Sequence, residues 1–274
     1  MPALIIGIEA MRDLGVSARL WGINIAATGL GVVIWMIVDR FPPLARRGRT
    51  FVTALSIGAI LLPFASPRIE GVYRWVAVAG LRLHAAAIVA PLLIACVAAA
   101  HGIRSALMLS AASAIILALQ PDAAQTTSFA AASACVLVLG PAREMHKLLS
   151  SLALLLLIAC AAFIRRDPLP PVRHVEEIFG VVASRGPGWA AIGTVALLLL
   201  PLPFFAAWFR YRNRTALGLG VYVAMTLLAP AWGTFPVPVM GLGASPILGY
   251  FIALAVGFGA PERPRVIAPI AAEE

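Results

Sequence analysis

Long apolar runs recur along the chain and confine most charged side chains to the segments between them. Nine runs approach the length of about 20 mostly apolar residues that crosses a bilayer. They cover residues 18–38, 51–66, 84–100, 103–120, 124–140, 148–164, 188–208, 215–231 and 246–260. Hydrophobic residues make up 61% of the chain and charged residues 12%, against about 45–50% and about 25% in soluble domains. The sequence therefore predicts an all-α, polytopic transmembrane helical bundle of about nine spans, within a range of about eight to ten.

The connecting segments fall into two alternating sets that differ in basic charge. The more basic set consists of residues 40–49, 101–105, 142–147, 210–214 and 261–265, and the other set of 66–84, 120–122, 165–188 and 231–245. Because Lys and Arg are enriched in cytoplasmic loops, we expect the first set to face the cytoplasm. The two long loops 66–84 and 165–188 then lie on the outer side of the cell inner (plasma) membrane.

This topology divides the chain into three parts. We expect an N-terminal interfacial segment at residues 1–17, a single transmembrane domain at 18–260 and a cytoplasmic tail at 261–274. The 231–245 connection is rich in Pro and Gly and has no charged residue. Such a segment enters a membrane only where protein buries it or where it lines a cavity. The outer end of the bundle is therefore the predicted working face.

The net charge of +9 is spread over short clusters and does not form one patch. With no aromatic or Gly-rich RNA-binding pattern around these residues, we expect no nucleic-acid partner. The three cysteines, Cys96, Cys135 and Cys160, lie inside apolar runs at spacings that fit no metal or redox motif. The sequence thus predicts no metal site, and it identifies no cofactor.

Asp122 is an acidic residue flanked on both sides by apolar runs. A carboxylate so close to hydrocarbon costs about 2.5–3.5 kcal/mol on insertion scales, which makes it a functional candidate. The alternative is structural, because Gln120, Pro121 and Asp122 also have the character of a turn in which Asp122 caps the next helix. The sequence alone leaves both interpretations open.

The loop 165–188 begins with a dense group of charged side chains that includes Arg165, Arg166, Asp167 and His174. Guanidinium groups bind phosphate oxygens in a fork, and Asp167 is a candidate general base toward a hydroxyl nucleophile. An ordinary polar loop stiffened by proline is the other interpretation. His84, His101 and His146 occur singly, and we expect them at the membrane interface rather than as ligands.

Four segments, in order, resemble motifs of the SEDS family (FtsW/RodA/SpoVE), membrane glycosyltransferases that polymerise lipid-linked peptidoglycan precursor. GVYRWVAVAGLRLHAAAIVA (71–90) is similar to G-x-x-R-W followed by Q-P-S-E-x-x-K, and LQPDAAQT (119–126) to Q-P-D-L-G-T. Asp167-Pro168-Leu169 with His174 resembles D-P-x-G-x-G-Y-Q/H. The stretch 227–257 resembles the Pro- and Gly-rich motif L-L-P-V-T-G-x-P-L-P-F-x-S-Y-G-G-S and the last helix after it.

This resemblance implies roles for particular residues in cell-envelope synthesis, cell shape or division. Asp167 corresponds to the loop carboxylate expected to activate an acceptor sugar hydroxyl, and Asp122 would brace the cavity. The other implied substrate-binding residues are Arg74, Trp75, Arg165, Arg166 and His174. The implied partners are membrane lipid or a polyprenyl-pyrophosphate-linked substrate, together with a membrane protein.

The sequence also departs from the family pattern. Counted from Arg74 without a gap, the Gln of the family motif falls on His84, its Glu on Ala87 and its Lys on Ala90. The chain is therefore either a glycosyltransferase on a lipid-linked sugar or a catalytically inactive lipid-binding or scaffold subunit of an envelope complex. A membrane transporter or flippase is the third hypothesis, although the sequence has no convincing internal repeat of the kind that many transporters contain.

Overall fold

The computed structural model describes residues 1–38, 40, 46–140, 145–164 and 168–258, and its regular structure is almost entirely helical. The helices are α1 (Pro2–Asp13), α2 (Ala18–Val38), α3 (Arg46–Leu61), α4 (Ala85–Ala98), α5 (Ile103–Leu119), α6 (Ala123–Val138), α7 (Met145–Ala162), α8 (Ile178–Ser184), α9 (Pro187–Leu198), α10 (Leu202–Tyr211), α11 (Arg214–Leu228) and α12 (Ala244–Phe258). Two short strands, β1 (Trp75–Val78) and β2 (Leu81–His84), form an antiparallel hairpin between α3 and α4. The predicted polytopic helical bundle is confirmed.

Each predicted apolar run corresponds to a helix or, in one case, to a pair of helices. Among the described residues, four helical segments are long and apolar enough to cross a bilayer: Ala18–Val38, Gly48–Ala65, Met145–Ala162 and Arg214–Ala231. The pair α9 and α10, bent by 41° at the break between them, makes a fifth if it is counted as one span. The shorter apolar helices α4, α5, α6 and α12 pack among these longer ones.

Burial is highest on the central helices and lowest on the peripheral ones. Helix α4 contacts α3, α5, α6, α11 and α12, and its Leu93 and Ile94 are fully buried. On the peripheral helix α7, by contrast, Leu156 and Leu157 are each 66% exposed. Apolar surface of this extent is a liability in water, but it is the expected exterior of a helical bundle whose solvent is lipid.

The described parts of the two sets of connecting segments lie at opposite ends of the bundle. At one end, the Arg49 guanidinium donates to the carbonyl of Ala99, and the Asn213 side-chain amide donates to the carbonyl of Gly257 at 3.0 Å. At the other end, the segments 69–84, 169–176 and 234–243 line one cavity. Within the described residues, the connecting segments thus follow the predicted alternation.

The predicted loop 66–84 contains the β hairpin, which the sequence interpretation missed. Its two-residue turn has positive φ at both central positions, 49° at Ala79 and 81° at Gly80, as a type I′ hairpin turn requires. The predicted span 84–100 is correspondingly shorter, because His84 belongs to β2 and the helix runs from Ala85 to Ala98. The predicted span 188–208 is broken just before Pro201, whose ring removes a backbone donor.

Helix α1 lies within the predicted N-terminal segment 1–17 and packs against α8 and α9. Its Ala3, Ala10 and Met11 are fully buried. Arg185, between α8 and α9, forms an ion pair with Asp13 at the end of α1. The predicted cytoplasmic tail 261–274 lies outside the described residues.

Candidate functional site

A cavity of about 550 Å³ opens at the end of the bundle where the predicted outer loops meet. Its polar wall includes the basic side chains Arg74, Arg82 and His84 and the acidic side chains Glu70, Asp122 and Glu176. Much of the remaining wall is apolar, with side chains that include Leu169, Val223, Phe235, Tyr250 and Ala253. The cavity therefore offers a charged region and an apolar region to the same ligand.

Asp122 lies in the turn between α5 and α6 and is only 2% exposed. Its Oδ1 accepts a hydrogen bond from the backbone N–H of Gln125 at 3.1 Å, so it caps the N-terminus of α6. Its Oδ2 points to two basic side chains from another part of the chain. The structural interpretation of Asp122 as a cap is therefore correct, and the same carboxylate also lines the cavity.

His84 connects the hairpin to Asp122. Its Nε2 lies 2.9 Å from Asp122 Oδ2, while its Nδ1 accepts from the backbone N–H of Ala87 at 3.2 Å and caps α4. In the neutral ring the proton therefore resides on Nε2 and is donated to Asp122. Because both ring nitrogens are engaged, His84 is built to hold the carboxylate in place and not to act as a general base.

Arg74, the residue before β1, completes this polar group and is 5% exposed. Its Nε lies 4.0 Å from Asp122 Oδ2, and its guanidinium also donates to the backbone carbonyl of Pro121. Two positively polarised groups from the segment 74–84 thus converge on one carboxylate at the start of α6. We call Arg74, His84 and Asp122 the buried polar triad.

The triad determines the charge of Asp122. Burial by itself raises the pKa of this carboxyl group, but the charge of Arg74, the electrostatic interaction with His84 and the hydrogen bonds from His84 and Gln125 together hold the pKa below its ordinary value. Asp122 is therefore a carboxylate at neutral pH. Its negative charge compensates the guanidinium of Arg74 inside the protein.

The Pro- and Gly-rich connection is fixed against α2 by one buried amide. Asn24 is fully buried; its Nδ2 donates to the carbonyl of Gly241 at 3.0 Å, and its Oδ1 accepts from the N–H of Gly243 at 2.9 Å. On another side, the N–H of Val237 donates to the carbonyl of Val175 at 3.2 Å. These bonds join the 231–245 connection to α2 and to the loop that follows residue 167, as expected for a segment that is buried by protein and lines a cavity.

The structure brings some of the predicted site residues together. Arg74, Trp75 and Asp122 line the cavity. His174 is half-buried and is not part of the lining, although its backbone carbonyl accepts from the N–H of Leu242 at 2.9 Å. The predicted catalytic Asp167 and the predicted phosphate ligands Arg165 and Arg166 lie outside the described residues.

His84 is the residue of this site that the sequence interpretation underrated, because we expected an interfacial position and no ligand. The sequence feature that could have identified His84 is its alignment with the Gln of the family motif, directly before an apolar helix. Within the described parts of the chain, no group of three or more His, Cys, Asp or Glu side chains is arranged to hold a metal ion.

Comparison with solved structures identifies the fold. No family model matches the sequence, and no curated protein is a significant sequence relative. The structure superimposes on the rod shape determining protein RodA of Thermus thermophilus with a TM-score of 0.67, at 20% sequence identity, covering 93% of this chain and 91% of the RodA chain. A RodA variant with one aspartate replaced by alanine gives the same TM-score and identity, and 92% of its chain is covered.

A third similar structure is a chain of a peptidoglycan synthase complex that coordinates polymerization and crosslinking. Its TM-score is 0.65 at 20% identity, with 93% of this chain and 95% of that chain covered. RodA belongs to the SEDS family, so the resemblance found in the sequence motifs is confirmed at the level of the fold. The likeness extends over nearly the whole chain.

Proposed function

We propose that this chain is a SEDS-like protein of peptidoglycan synthesis in the inner membrane, acting in cell shape or division. In this proposal its cavity binds a polyprenyl-pyrophosphate-linked sugar. The observation that carries the proposal is the cavity itself, which combines a buried polar triad with an apolar wall at the predicted outer end of the bundle. The RodA-like fold supports the same assignment.

The chemistry of the cavity suits such a substrate. A polyprenyl-linked precursor has a long apolar chain, a negatively charged pyrophosphate and a polar sugar. Val223, Phe235 and Ala253 provide apolar wall, and Arg82, which is exposed at the polar end, provides a guanidinium that can approach phosphate oxygens. Arg165 and Arg166 are the proposed further ligands of the pyrophosphate.

Catalysis is assigned to Asp167. In the proposed reaction an acceptor sugar hydroxyl attacks the anomeric carbon of the donor sugar, and the bond from that carbon to the pyrophosphate oxygen breaks. Asp167 takes the hydroxyl proton as general base, and polyprenyl pyrophosphate leaves with the bonding electrons, its charge balanced by arginines. Leu169 and Pro170, which follow Asp167 by two and three positions, line the cavity.

A catalytically inactive lipid-binding or scaffold subunit is the alternative. Alanine stands at both positions of the Glu and Lys of the family motif; Ala87 is in the cavity wall, and Ala90 is 1% exposed. Any interaction that an ion pair at these positions makes with substrate or a partner is therefore absent. One of the similar structures is a chain of a synthase complex, so a membrane-protein partner is part of both hypotheses.

A transporter or flippase is the second alternative, and one observation favours it. Among the described helices, the pair α9 and α10 is bent by 41° at a break, and Leu200 within that break lines the cavity. The phenol of Tyr250 donates to the carbonyl of Leu200 at 3.0 Å, which satisfies a backbone group released by the break. Vesicles that contain the purified protein and a fluorescent precursor would show translocation between leaflets under this alternative.

A polymerisation assay on purified protein tests the catalytic assignment. With labelled lipid-linked precursor, the wild type should form polymer, and Asp167→Asn should lose at least about 100-fold in rate, the lower range for removal of a general base. Asp13→Asn, an outer-end carboxyl that does not line the cavity, is the matched control. Full activity of Asp167→Asn would eliminate the catalytic assignment, and precursor binding without turnover in the wild type would favour the scaffold.

A further inference from the structure

The β hairpin has two chemically different faces. Cross-strand neighbours share a face of a hairpin, and successive residues of a strand alternate between faces. The pairs Trp75 with His84 and Ala77 with Arg82 therefore form one face. The pairs Val76 with Leu83 and Val78 with Leu81 form the other, which consists only of branched aliphatic side chains.

The first face lines the cavity. Trp75, Arg82 and His84 are all cavity-wall residues, and the rings of Trp75 and His84 are nearly perpendicular with their centroids 6.2 Å apart. This face therefore has a defined environment within the protein. The hairpin forms one wall of the cavity. This wall is a single layer of two strands, so its aliphatic face lies directly behind the cavity.

The aliphatic face is only partly covered. Val76 and Leu83 near the base are half-buried, whereas Val78 and Leu81 at the tip are 49% and 43% exposed. A two-stranded hairpin has marginal stability in water by itself. Transfer of the two exposed aliphatic side chains at its tip from water to an apolar environment outside the chain would therefore stabilise the hairpin.

Two connections place the hairpin next to apolar helix ends. Strand β2 continues directly into the apolar helix α4 at Ala85, so the tip is at most about 15 Å of chain from the helix start. On the other side, β1 contacts the short 3₁₀ helix Leu62–Ala65 at the end of α3, where Leu62 and Phe64 are 53% and 38% exposed. The hairpin is thus adjacent to a helix end with exposed apolar side chains.

We propose that the aliphatic face, formed by Val76, Val78, Leu81 and Leu83, lies in the outer leaflet of the membrane. The hairpin is then an amphipathic wall with lipid on one side and the polar end of the cavity on the other. Lipid is the occupant, and not a second protein, because β1 contacts the exposed apolar end of a candidate membrane span and β2 continues into the apolar helix α4. This inference deepens the proposed function, since it specifies where a lipid-linked substrate meets the cavity, but its test needs no substrate.

Fluorescence quenching in nanodiscs that hold one copy of the full chain tests the position of this face. Cys135 and Cys160 are replaced by alanine, while the buried Cys96 stays. A polarity-sensitive fluorophore is then attached to Val78→Cys or to Ala77→Cys, two neighbouring positions on opposite faces. At Val78→Cys we expect blue-shifted emission, loss of intensity with brominated lipid and protection from aqueous iodide.

At Ala77→Cys we expect the opposite result, with strong quenching by aqueous iodide and little quenching by brominated lipid. Leu81→Cys provides a second probe of the aliphatic face, and Leu62→Cys provides a reference for a lipid-facing helix end. Iodide quenching at Val78→Cys and Leu81→Cys equal to that at Ala77→Cys would overturn the proposal, because the face would then lie in water. Protection from both quenchers would also overturn it, because protein would then cover the face.

The result is independent of the proposed enzymatic activity. A probe at Val78→Cys reports its depth in the bilayer whether or not the chain polymerises precursor. If quenching places the face in lipid while precursor neither binds nor reacts, the proposed function fails and the lipid contact stands. If precursor binds while the probe is in water, the lipid contact fails and the proposed function stands.

Discussion

Removing the charge of Asp122 should destabilise the protein through the guanidinium that it leaves behind. Asp122→Asn keeps the size of the side chain and an oxygen that can still cap α6, so the change is mainly electrostatic. At the observed 4.0 Å from Arg74 Nε, two unit charges interact by about 4 kcal/mol at an effective dielectric constant of about 20. Loss of one partner of a buried pair costs about 3–5 kcal/mol, which agrees with this value.

The assay is thermal unfolding of purified protein, followed by tryptophan fluorescence at one fixed heating rate. With about 2–4 °C per kcal/mol for a chain of this size, Asp122→Asn should lower the Tm by about 10 °C. Arg74→Gln should also destabilise, because it removes the positive charge that faces the buried carboxylate and leaves only the contacts from His84 and from the N–H of Gln125. In the double variant the two effects should not add, with a coupling of about 0.5–3 kcal/mol. Additive effects would refute the buried pair.

The pH dependence of the same variants provides an independent check. Since the pKa of Asp122 is lowered in the folded protein, its carboxylate contributes stability that is present above the unfolded pKa of about 3.9. This contribution is lost as the pH falls through the lower folded value. The difference in Tm between wild type and Asp122→Asn should therefore be constant from neutral pH to about pH 5 and shrink below about pH 4. A difference that already shrinks near neutral pH would contradict the lowered pKa.

One further substitution and two pairs of substitutions test the packing around the cavity, each by the change in Tm. Asn24→Leu removes the two bonds that hold the 231–245 connection and should cost about 2–6 kcal/mol, since each of the two orphaned backbone groups costs about 1–3 kcal/mol. Gly249→Ala should destabilise because its Cβ would lie 1.9 Å from the Ala87 carbonyl, whereas Gly58→Ala, with open space around it, should be neutral or stabilising. Ala87→Glu should be tolerated, because residue 87 lies in the cavity wall. Ala90→Lys should unfold the protein, because it buries an ammonium group. Equal tolerance of the two substitutions would contradict the positions assigned to Ala87 and Ala90.

The helices and their order were predictable from the sequence because bilayer thickness imposes a length and a polarity on each span. The hairpin was not, since its strands Trp75–Val78 and Leu81–His84 are only four residues each and merge into the apolar run that follows. The break before Pro201 was also missed. A window of average hydropathy does not distinguish one straight span from two helices bent by 41°.

The residues of the site were also predictable only in part. Asp122 stood out because it is a carboxylate flanked by apolar runs, and Arg74 and Trp75 stood out through the motif resemblance. His84 did not, because a lone histidine next to a helix has many structural roles, and its distance of 2.9 Å to Asp122 arises from the hairpin register. Asn24 was invisible for the same reason: its partners are backbone groups more than 200 positions away in the chain.

Direct binding of a polyprenyl-pyrophosphate-linked sugar to purified protein in nanodiscs tests the central claim that the cavity is the substrate site. The wild type should bind saturably, and Val223→Trp, which fills the cavity wall from α11, should bind much more weakly. Leu228→Trp, on the same helix but 52% exposed, is the matched control and should bind like the wild type. Equal binding by the wild type and both variants would contradict the claim and place the ligand outside this cavity.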